Sequence, residues 1–408
     1  MSAPAQAGDP DGQLLLSGPA VQPLLEQAAR QAGGELLDWH LDHLDHDPGR
    51  TTTATYAARV RWAAGEREEL IGCSVRAHGP DARDEAALLL DEGQRQAAVW
   101  LHPFDPDLPG LARAAFPDQV AELLGEHRLL PHPVRSADVE LRMVGYRPRR
   151  RAVLRVQAAG HVFYIKVLRA AHADAVVRRH EMLARAGICA PEVLAVTDEH
   201  LLVLRELPGR PLAQAIFDER EPCGPDAVIG LLDRLPAEVR ELELRPSWSE
   251  SVEHYARIIG ESLPEQEQRL TWMAATITQG LAGLPAGDEP THGDLHEGQL
   301  HVAGGRIVGL LDVDTLGPGR RADDLACLVA HLTTVQRMDA IQTGRVHHLI
   351  RTWVPAFDER VDAAELRLRT AAVVISLGTG PRRGLEDDWE AGTVAILDAA
   401  EALVRQVG

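Results

Sequence analysis

The order of strand-like and helical segments is the feature that most limits how this chain can fold. Its first half contains two groups of runs in which apolar and polar residues alternate, and this pattern predicts antiparallel strands with one buried face. The runs are Leu37–Leu41, Tyr56–Trp62, Leu70–Ala77, Val139–Tyr146, Ala152–Val156 and His161–Leu168. A helix is predicted over 170–186, two short strands follow, and the pattern beyond about residue 210 is helical. Segregated strands and helices predict an α+β fold in two lobes and not an alternating βαβ fold.

The composition argues against several classes of protein. The 408 residues carry a formal net charge of −19, and an acidic surface repels the phosphates of nucleic acids. The longest apolar runs are far shorter than the roughly 18 residues that span a bilayer, and the first ten residues lack the pattern of a signal peptide. The four cysteines lie far apart, which gives neither a CxxC zinc site nor a disulfide framework. We therefore expect a cytoplasmic protein that binds neither nucleic acid nor membrane.

Lysine is almost missing from the chain. Of 42 basic residues, a single one, Lys166, is a lysine. An ammonium group is a compact point charge, whereas a guanidinium group is a planar fork with a different hydrogen-bond geometry. Lys166 therefore either occupies a site that requires an ammonium group or is a lysine that is present by chance in a chain biased toward arginine.

The segment from Thr291 to Gln299 reads T-H-G-D-L-H-E-G-Q, and Asp312 follows eighteen residues after Asp294 in the run L-L-D-V-D. Phosphoryl transfer needs a carboxylate that orients the attacking hydroxyl and oxygen ligands for Mg²⁺. Asp294 suits the first role, and the carboxylate of Asp312 with the amide oxygen of Gln299 suits the second. Either carboxylate alone could simply cap a turn. Only the combination of Asp294, Gln299 and Asp312 at this spacing indicates phosphoryl transfer.

These residues resemble the aminoglycoside phosphotransferase and choline kinase-like family, which has the protein-kinase-like fold. The family pattern is H-G-D-x-H-x-x-N/Q followed by D-x-D/E, and the glutamine at 299 is most similar to the maltokinase and glucosamine kinase branch. The resemblance implies Asp294 as catalytic base and Gln299 and Asp312 as metal ligands. Asp324 matches the x-D-L-A segment that braces the catalytic loop. His292 and His296 of the motif are expected to be structural supports.

The same resemblance assigns nucleotide-binding residues. It implies that Lys166 contacts the α- and β-phosphates of ATP and pairs with Glu181 on the following helix. The segment around Glu206 and Leu207 is similar to the hinge whose backbone binds adenine. The usual Gly-rich loop is missing, and the turn 147–151 contains four arginines instead. Arg149 of this turn is a candidate phosphate contact, and a solvated basic turn is the alternative.

The family resemblance also implies an architecture and a reaction. It implies a bilobal protein-kinase-like fold with a cap region at 1–135, a nucleotide-binding small lobe at 136–208 and a helical lobe at 209–408. The expected activity is ATP- and Mg²⁺-dependent phosphorylation of a hydroxyl on a sugar, amino sugar or aminoglycoside-like acceptor. A nucleotide-binding pseudokinase with a regulatory role is the alternative. A protein-substrate kinase is disfavoured, because its catalytic loop would read H-R-D-L-x-x-x-N.

Two further segments allow opposed interpretations. Asp388 and Trp389 are candidates for acceptor binding, since an indole ring stacks on a sugar and a carboxylate binds hydroxyl or ammonium groups. The alternative is the acidic N-terminus of a helix. The segment 40–46, which is rich in His and Asp, contains residue types of a metallohydrolase site. The alternative, which we favour, is the outward face of an amphipathic strand opposite Trp39 and Leu41.

Overall fold

The computed structural model describes residues 9–81, 84, 87–92, 95–218, 220–335, 338–384 and 387–407. The chain divides into two compact units. Unit 1 comprises Met1–Asp174 and Val193–Arg205, and unit 2 comprises Ala175–Glu192 and Glu206–Gly408. The boundary between Arg205 and Glu206 falls within the segment that resembles the hinge of the family.

The helices of the described residues are α1 (Gln13–Ser17), α2 (Gln22–Gln31), α3 (Leu111–Ala115), α4 (Pro117–Glu126), α5 (Ala170–Arg185), α6 (Leu212–Ala215), α7 (Pro225–Asp233), α8 (Val252–Ser262), α9 (Glu267–Leu281), α10 (Arg321–Thr333), α11 (Ala340–Asp358), α12 (Ala363–Leu377), α13 (Gly380–Arg383) and α14 (Trp389–Val404). The strands are β1 (Glu35–Asp47), β2 (Thr51–Trp62), β3 (Gly65–Arg76), β4 (Leu88–Glu92), β5 (Arg95–Leu101), β6 (Val139–Arg147), β7 (Arg151–Ala158), β8 (His161–Leu168), β9 (Val193–Val196), β10 (Leu201–Arg205), β11 (Arg210–Pro211), β12 (Glu289–Thr291), β13 (Leu300–Ala303), β14 (Arg306–Leu310) and β15 (Gly317–Gly319). The separation into antiparallel sheets and a long helical region confirms the predicted α+β class.

The first sheet of unit 1 has the antiparallel order β1-β2-β3-β5-β4. Helices α1 and α2 bury four leucines against it, and the fully buried Tyr56 donates its hydroxyl hydrogen to the carbonyl oxygen of Leu16 at 2.6 Å. Three of the five strands match the predicted meander. The run 88–101, which the sequence analysis did not assign, supplies β4 and β5.

The second sheet of unit 1 has the order β6-β7-β8-β10-β9. The loop and helices at 108–124 supply leucines to the core of this sheet, where they join Leu154 and Ile165. Residues on both sides of the proposed boundary at 135/136 therefore share one hydrophobic core. The three-part division of the chain remains a prediction.

Unit 2 is mainly helical and contains two small sheets, of the order β11-β13-β14 and β12-β15. One core joins α7, α10 and α11 to the β13–β14 hairpin, and another joins α8, α9, α12 and α14. Helix α12 is buried along most of its length. Among the helices of the described residues, none has the length and apolar character needed to cross a bilayer.

Candidate functional site

The T-H-G-D motif begins in β12 and continues as the loop that leads to β13. Thr291 pairs with Gly317 of β15, and the chain then turns at Gly293, whose φ is 82°. A Cβ atom at this position would lie 2.6 Å from the carbonyl oxygen of Thr315. Both the left-handed backbone and the close approach therefore require glycine.

Asp324, in the first turn of α10, fixes the start of this loop. Its two carboxylate oxygens accept hydrogen bonds from the backbone N–H groups of His292 and Gly293, each at 2.8 Å. The residue is fully buried, and this burial raises the pKa of the carboxyl to about 6, although His292 and the two N–H donors oppose the shift. Asp324 thus binds the backbone directly before Asp294, and its role in bracing the catalytic loop remains a prediction.

His292 is also fully buried and joins the loop to the neighbouring hairpin. Its Nε2 lies 2.8 Å from the carbonyl oxygen of Leu311, which can only accept, so Nε2 donates. The hydroxyl of Thr315 donates to the carbonyl oxygen of His292 at 2.8 Å. These contacts fit the expected supporting role of His292.

The carboxylate of Asp294 is half-buried and lies close to α10. The thiol of Cys327 donates to its Oδ1 across 3.9 Å. Burial, followed by the negative charge of Asp294, raises the pKa of Cys327 well above the usual thiol value, so the thiol stays protonated and remains a donor. One side of the Asp294 carboxylate is therefore oriented by the protein.

Gln299 precedes β13 and Asp312 follows β14, so both lie at the open end of the β13–β14 hairpin. The N–H of Leu311 donates to the carbonyl oxygen of Gln299 at 2.7 Å, and Asp312 follows at once. Asp312 has the left-handed angles φ 47° and ψ 55°, which cost a residue with a side chain about 1 kcal/mol or more. An amide oxygen and a carboxylate are hard oxygen donors, so this donor set fits Mg²⁺.

Lys166 lies in β8 of unit 1, and Glu181 lies in the part of α5 that belongs to unit 2. The backbone of Lys166 is held between β7 and β10, and only 5% of the residue is exposed. Glu181 is exposed, whereas the preceding Arg179 and His180 are buried. The Lys166–Glu181 pair remains a prediction, and the exposed position of Glu181 lends it no support.

Glu206 and Leu207 begin the second segment of unit 2. Glu206 is exposed, and Leu207 is buried with its side chain against Gly309. Their expected contact with adenine remains a prediction.

Arg149 is the one predicted nucleotide contact that we do not retain. Within unit 1 its guanidinium group binds Asp84, Asp107 at 2.7 Å and the hydroxyl of Ser74 at 2.9 Å, while its backbone N–H donates to Asp105 at 2.7 Å. The side chain is 7% exposed. Its donors are already used inside the protein, so they are not free to cover a phosphate.

Asp388 and Trp389 mark the start of α14. Asp388 is exposed and is the residue that precedes the helix. Trp389 packs against the core of α8, α9, α12 and α14, and the guanidinium group of Arg382 lies 5.4 Å from its ring centroid. These contacts favour the helix-terminus interpretation over acceptor binding.

The segment 40–46 lies in the edge strand β1. His46 contacts the hydroxyl of Thr52 at 2.9 Å, and Asp42 accepts from the hydroxyl of Thr55 at 2.9 Å. Among the residues that the structure describes, no three potential ligands of this segment come within the distance that a metal ion requires. The outward face of an amphipathic strand explains the segment.

Sequence reasoning missed Glu297 and His331, which meet beside His296. The rings of His296 and His331 are stacked, with centroids 4.4 Å apart and planes inclined by 11°. Burial, with a smaller contribution from His296, lowers the pKa of His331 to about 3, so its imidazole is neutral at physiological pH. His331 lies 35 residues from His296 in sequence, and no local spacing signals their contact.

The comparisons with known proteins agree with the motif. The APH model, described as "Phosphotransferase enzyme family", matches residues 141–367. No curated protein matches the chain significantly.

Solved structures of three kinases are also similar in part. The choline kinase of Cryptosporidium parvum Iowa II is 12% identical, with 70% of this chain and 96% of that chain covered and a TM-score of 0.49. A thermostable mutant of aminoglycoside phosphotransferase APH(4)-Ia is 14% identical, with 70% and 97% covered and a TM-score of 0.46. Macrolide 2'-phosphotransferase MphH from Brachybacterium faecium is 18% identical, with 69% and 98% covered and a TM-score of 0.40. With TM-scores below 0.5, these likenesses add nothing to the family match.

Proposed function

Because this chain belongs to the APH phosphotransferase family and is thereby a small-molecule kinase, we propose that it transfers the γ-phosphoryl group of ATP to a hydroxyl, with Asp294 as catalytic base. One observation carries the proposal. The half-buried carboxylate of Asp294 follows a backbone segment that Asp324 and Thr315 fix by hydrogen bonds. A carboxylate held in this way is preorganised to orient a hydroxyl group.

In this reaction Asp294 accepts the proton of the acceptor hydroxyl as the hydroxyl oxygen attacks the γ-phosphorus, and the bond from the γ-phosphorus to the β–γ bridging oxygen breaks to release ADP. The thiol of Cys327 donates to Oδ1 of Asp294 and thus leaves the other oxygen for the acceptor. Lys166 supplies a positive charge to the phosphates of the nucleotide, and the backbone at Glu206 and Leu207 binds the adenine ring.

The donor set of Gln299 and Asp312 would hold Mg²⁺. When bound, this ion would neutralise the charge on the phosphate oxygens. The pairing of β13 with β14 brings both residues to one end of the hairpin, and removal of either is expected to weaken the metal site.

A sugar, an amino sugar or an aminoglycoside-like molecule is the proposed acceptor. The net charge of −19 attracts cationic amino sugars. A cavity of about 170 Å³ lies beside Gly293 in unit 2, and its lining includes the ring of Trp248, Ser251 and Asp323. The ring of Trp248 and the hydroxyl of Ser251 suit contact with a sugar ring, whereas the carboxylate of Asp323 already pairs with Arg369 at 2.6 Å.

The substitution Asp294→Asn tests the catalytic assignment. It should lower kcat for γ-phosphoryl transfer by about 10²-fold or more while the affinity for ATP changes little. Asp288→Asn, on the exposed segment before β12, is the matched control and should leave turnover unchanged. Near-normal turnover of Asp294→Asn would contradict the assignment. Nucleotide binding by the wild type without transfer to any sugar, amino sugar or aminoglycoside would favour the pseudokinase.

A pair of tryptophan variants tests where the acceptor binds. Trp248→Ala should raise KM for the acceptor and leave KM for ATP unchanged, because Trp248 lines the cavity beside the loop. If the acceptor instead lies at the start of α14, Trp389→Ala should have this effect. A lower melting temperature of Trp389→Ala without a change in KM would identify that residue as structural.

A further inference from the structure

His296, Glu297 and His331 form a cluster beneath the catalytic loop in unit 2. The Nδ1 atoms of both histidines lie 3.8 Å from Oε2 of Glu297. The side chains are between 15% and 24% exposed, so the cluster is mostly buried but solvent still reaches part of each side chain. His296 and Glu297 come from the loop, and His331 comes from the last turn of α10.

The carboxylate of Glu297 lacks a hydrogen-bond donor at one oxygen. Oε2 is buried and accepts no hydrogen bond from the part of the chain that the structure describes. Buried carboxylate oxygens are normally paired, because an unpaired one forfeits its hydration without compensation. A group that brings positive charge to this point would remove that cost.

We propose that His296, Glu297 and His331 bind one transition-metal dication of the zinc class, at a second metal site that adjoins the Mg²⁺ site of Gln299 and Asp312. Two imidazole nitrogens and one carboxylate oxygen form a donor set that zinc commonly has in proteins, with water as a fourth ligand. Imidazole nitrogen favours zinc, copper or nickel over Mg²⁺, which prefers oxygen. The imidazole of His331 is neutral and therefore offers a lone pair.

The observed distances are close to those of a zinc site. Zinc–nitrogen and zinc–oxygen bonds of about 2.0–2.2 Å place ligands about 3.3–3.4 Å apart in a tetrahedron, and the three ligand atoms here all lie within 4.8 Å of one another. Each lone pair lies in the plane of its ring, so the stacked rings, whose planes are now inclined by 11°, would have to tilt apart to direct both nitrogens at one ion. Nδ1 of His296 would exchange its 3.1 Å contact with the N–H of Gly298 for the metal.

Gln299 supplies the outer partner that a metal-bound histidine needs. Its side-chain amide lies 2.8 Å from Nε2 of His296. Histidines that bind a metal through one nitrogen usually donate the other N–H to an oxygen, which fixes the orientation of the ring. With its amide oxygen toward Nε2, Gln299 would accept this bond through one lone pair, and the other lone pair of the same oxygen would remain for the proposed Mg²⁺ ion. Metal binding would then fasten the loop that carries Asp294 to α10.

The test uses the full-length protein without a histidine tag and needs neither nucleotide nor acceptor, so it is independent of the proposed kinase activity. After chelator treatment and dialysis, isothermal titration with Zn²⁺ should show one site per chain, and millimolar Mg²⁺ should not compete. Cobalt substitution should give the visible absorption bands of a four- or five-coordinate nitrogen and oxygen site. The absence of stoichiometric binding would overturn the proposal.

Variants locate the bound metal. His331→Ala should weaken Zn²⁺ binding by about 10²-fold or more, and His348→Ala, an exposed histidine of α11, should leave it unchanged. If His331→Ala does not fold by circular dichroism, His331→Gln keeps a neutral polar side chain and should show the same loss. Equal affinity of the His331 variants and the wild type would show that the metal binds elsewhere and would refute the site.

Discussion

Arg149 is expected to stabilise unit 1 and not to bind nucleotide, and the substitution Arg149→Met separates these roles. Methionine keeps much of the length of the side chain but removes the charge and all donors. Asp84 and Asp107, whose side chains are 1% and 4% exposed, would then lose the guanidinium group that both bind. Removal of one member of a buried ion pair costs about 3–5 kcal/mol, because the remaining charge stays uncompensated.

A second contact adds to this loss. The guanidinium group of Arg149 lies 5.6 Å from the ring centroid of Trp100, a cation–π interaction worth about 0.5–1 kcal/mol. The hydrogen bond that the backbone of Arg149 donates to Asp105 survives the substitution, as does the bond from the hydroxyl of Tyr146 to the same carboxylate. We therefore expect the free energy of unfolding of unit 1 to fall by about 3.5–6 kcal/mol in total.

The neighbouring residue provides the control. Arg150 pairs with Asp45 at 3.1 Å, but the two side chains are 58% and 29% exposed, and such surface pairs contribute about 0–1 kcal/mol. Urea unfolding followed by circular dichroism should therefore separate Arg149→Met from Arg150→Met by at least about 2 kcal/mol. Hydrogen exchange measured by mass spectrometry should assign the difference to β3 and β7.

Two results would refute this reasoning. Equal stability of the two variants would show that the buried ion network contributes no more than a surface pair. A rise in the ATP dissociation constant of Arg149→Met with unchanged stability would instead restore Arg149 as a phosphate contact.

Three further predictions concern the catalytic half of the protein. Lys166→Arg should abolish ATP binding or turnover with the fold intact, since a guanidinium fork does not replace a buried ammonium group. An active variant would show that the single lysine is present by chance and has no functional role. Asp312→Ala should abolish Mg²⁺-dependent transfer and Gln299→Ala should raise the Mg²⁺ requirement, whereas activity that survives EDTA would contradict the metal assignment. The pKa of Asp324 in the folded protein, about 6, lies above its unfolded value of 3.8, so its contribution to stability is present below about pH 4 and is lost as the pH rises through about 6. The stability of the wild type relative to Asp324→Asn should therefore fall by about 2 kcal/mol between about pH 4 and pH 7.5 in urea unfolding, and a difference independent of pH would refute the shift.

The sequence predicted those features that depend on local patterns. The alternating runs of β2, β3 and β6–β8 and the helix α5 were located within a few residues of their observed positions. Strand β5 was not predicted, because its segment A-A-V-W-L is continuously apolar and such a run does not distinguish a strand from a buried helix.

Features that depend on distant residues were not predictable. The basic turn at 147–151 was visible, but its acidic partners lie more than forty residues upstream, and only the tertiary fold brings Asp84 and Asp107 to Arg149. The contact of His331 with His296 and Glu297 likewise depends on how α10 packs against the loop. The motif residues were predicted because they lie close together in sequence. The side chains that contact them, such as those of Cys327 and His331, lie far away in sequence and were not predicted.

The shared core of the second sheet has an evolutionary consequence. The match to the phosphotransferase family begins at residue 141, yet Leu108, Leu111, Leu123 and Leu124 upstream are almost completely buried beside that sheet. Each such leucine contributes about 1.5–3 kcal/mol, so together they approach the whole stability of a typical domain, about 5–15 kcal/mol. Gene truncation or domain shuffling at the family boundary would expose an apolar sheet face that invites aggregation. The N-terminal region and the sheet are thus expected to be inherited as one piece, and substitutions in 108–124 should coevolve with those in β7 and β8.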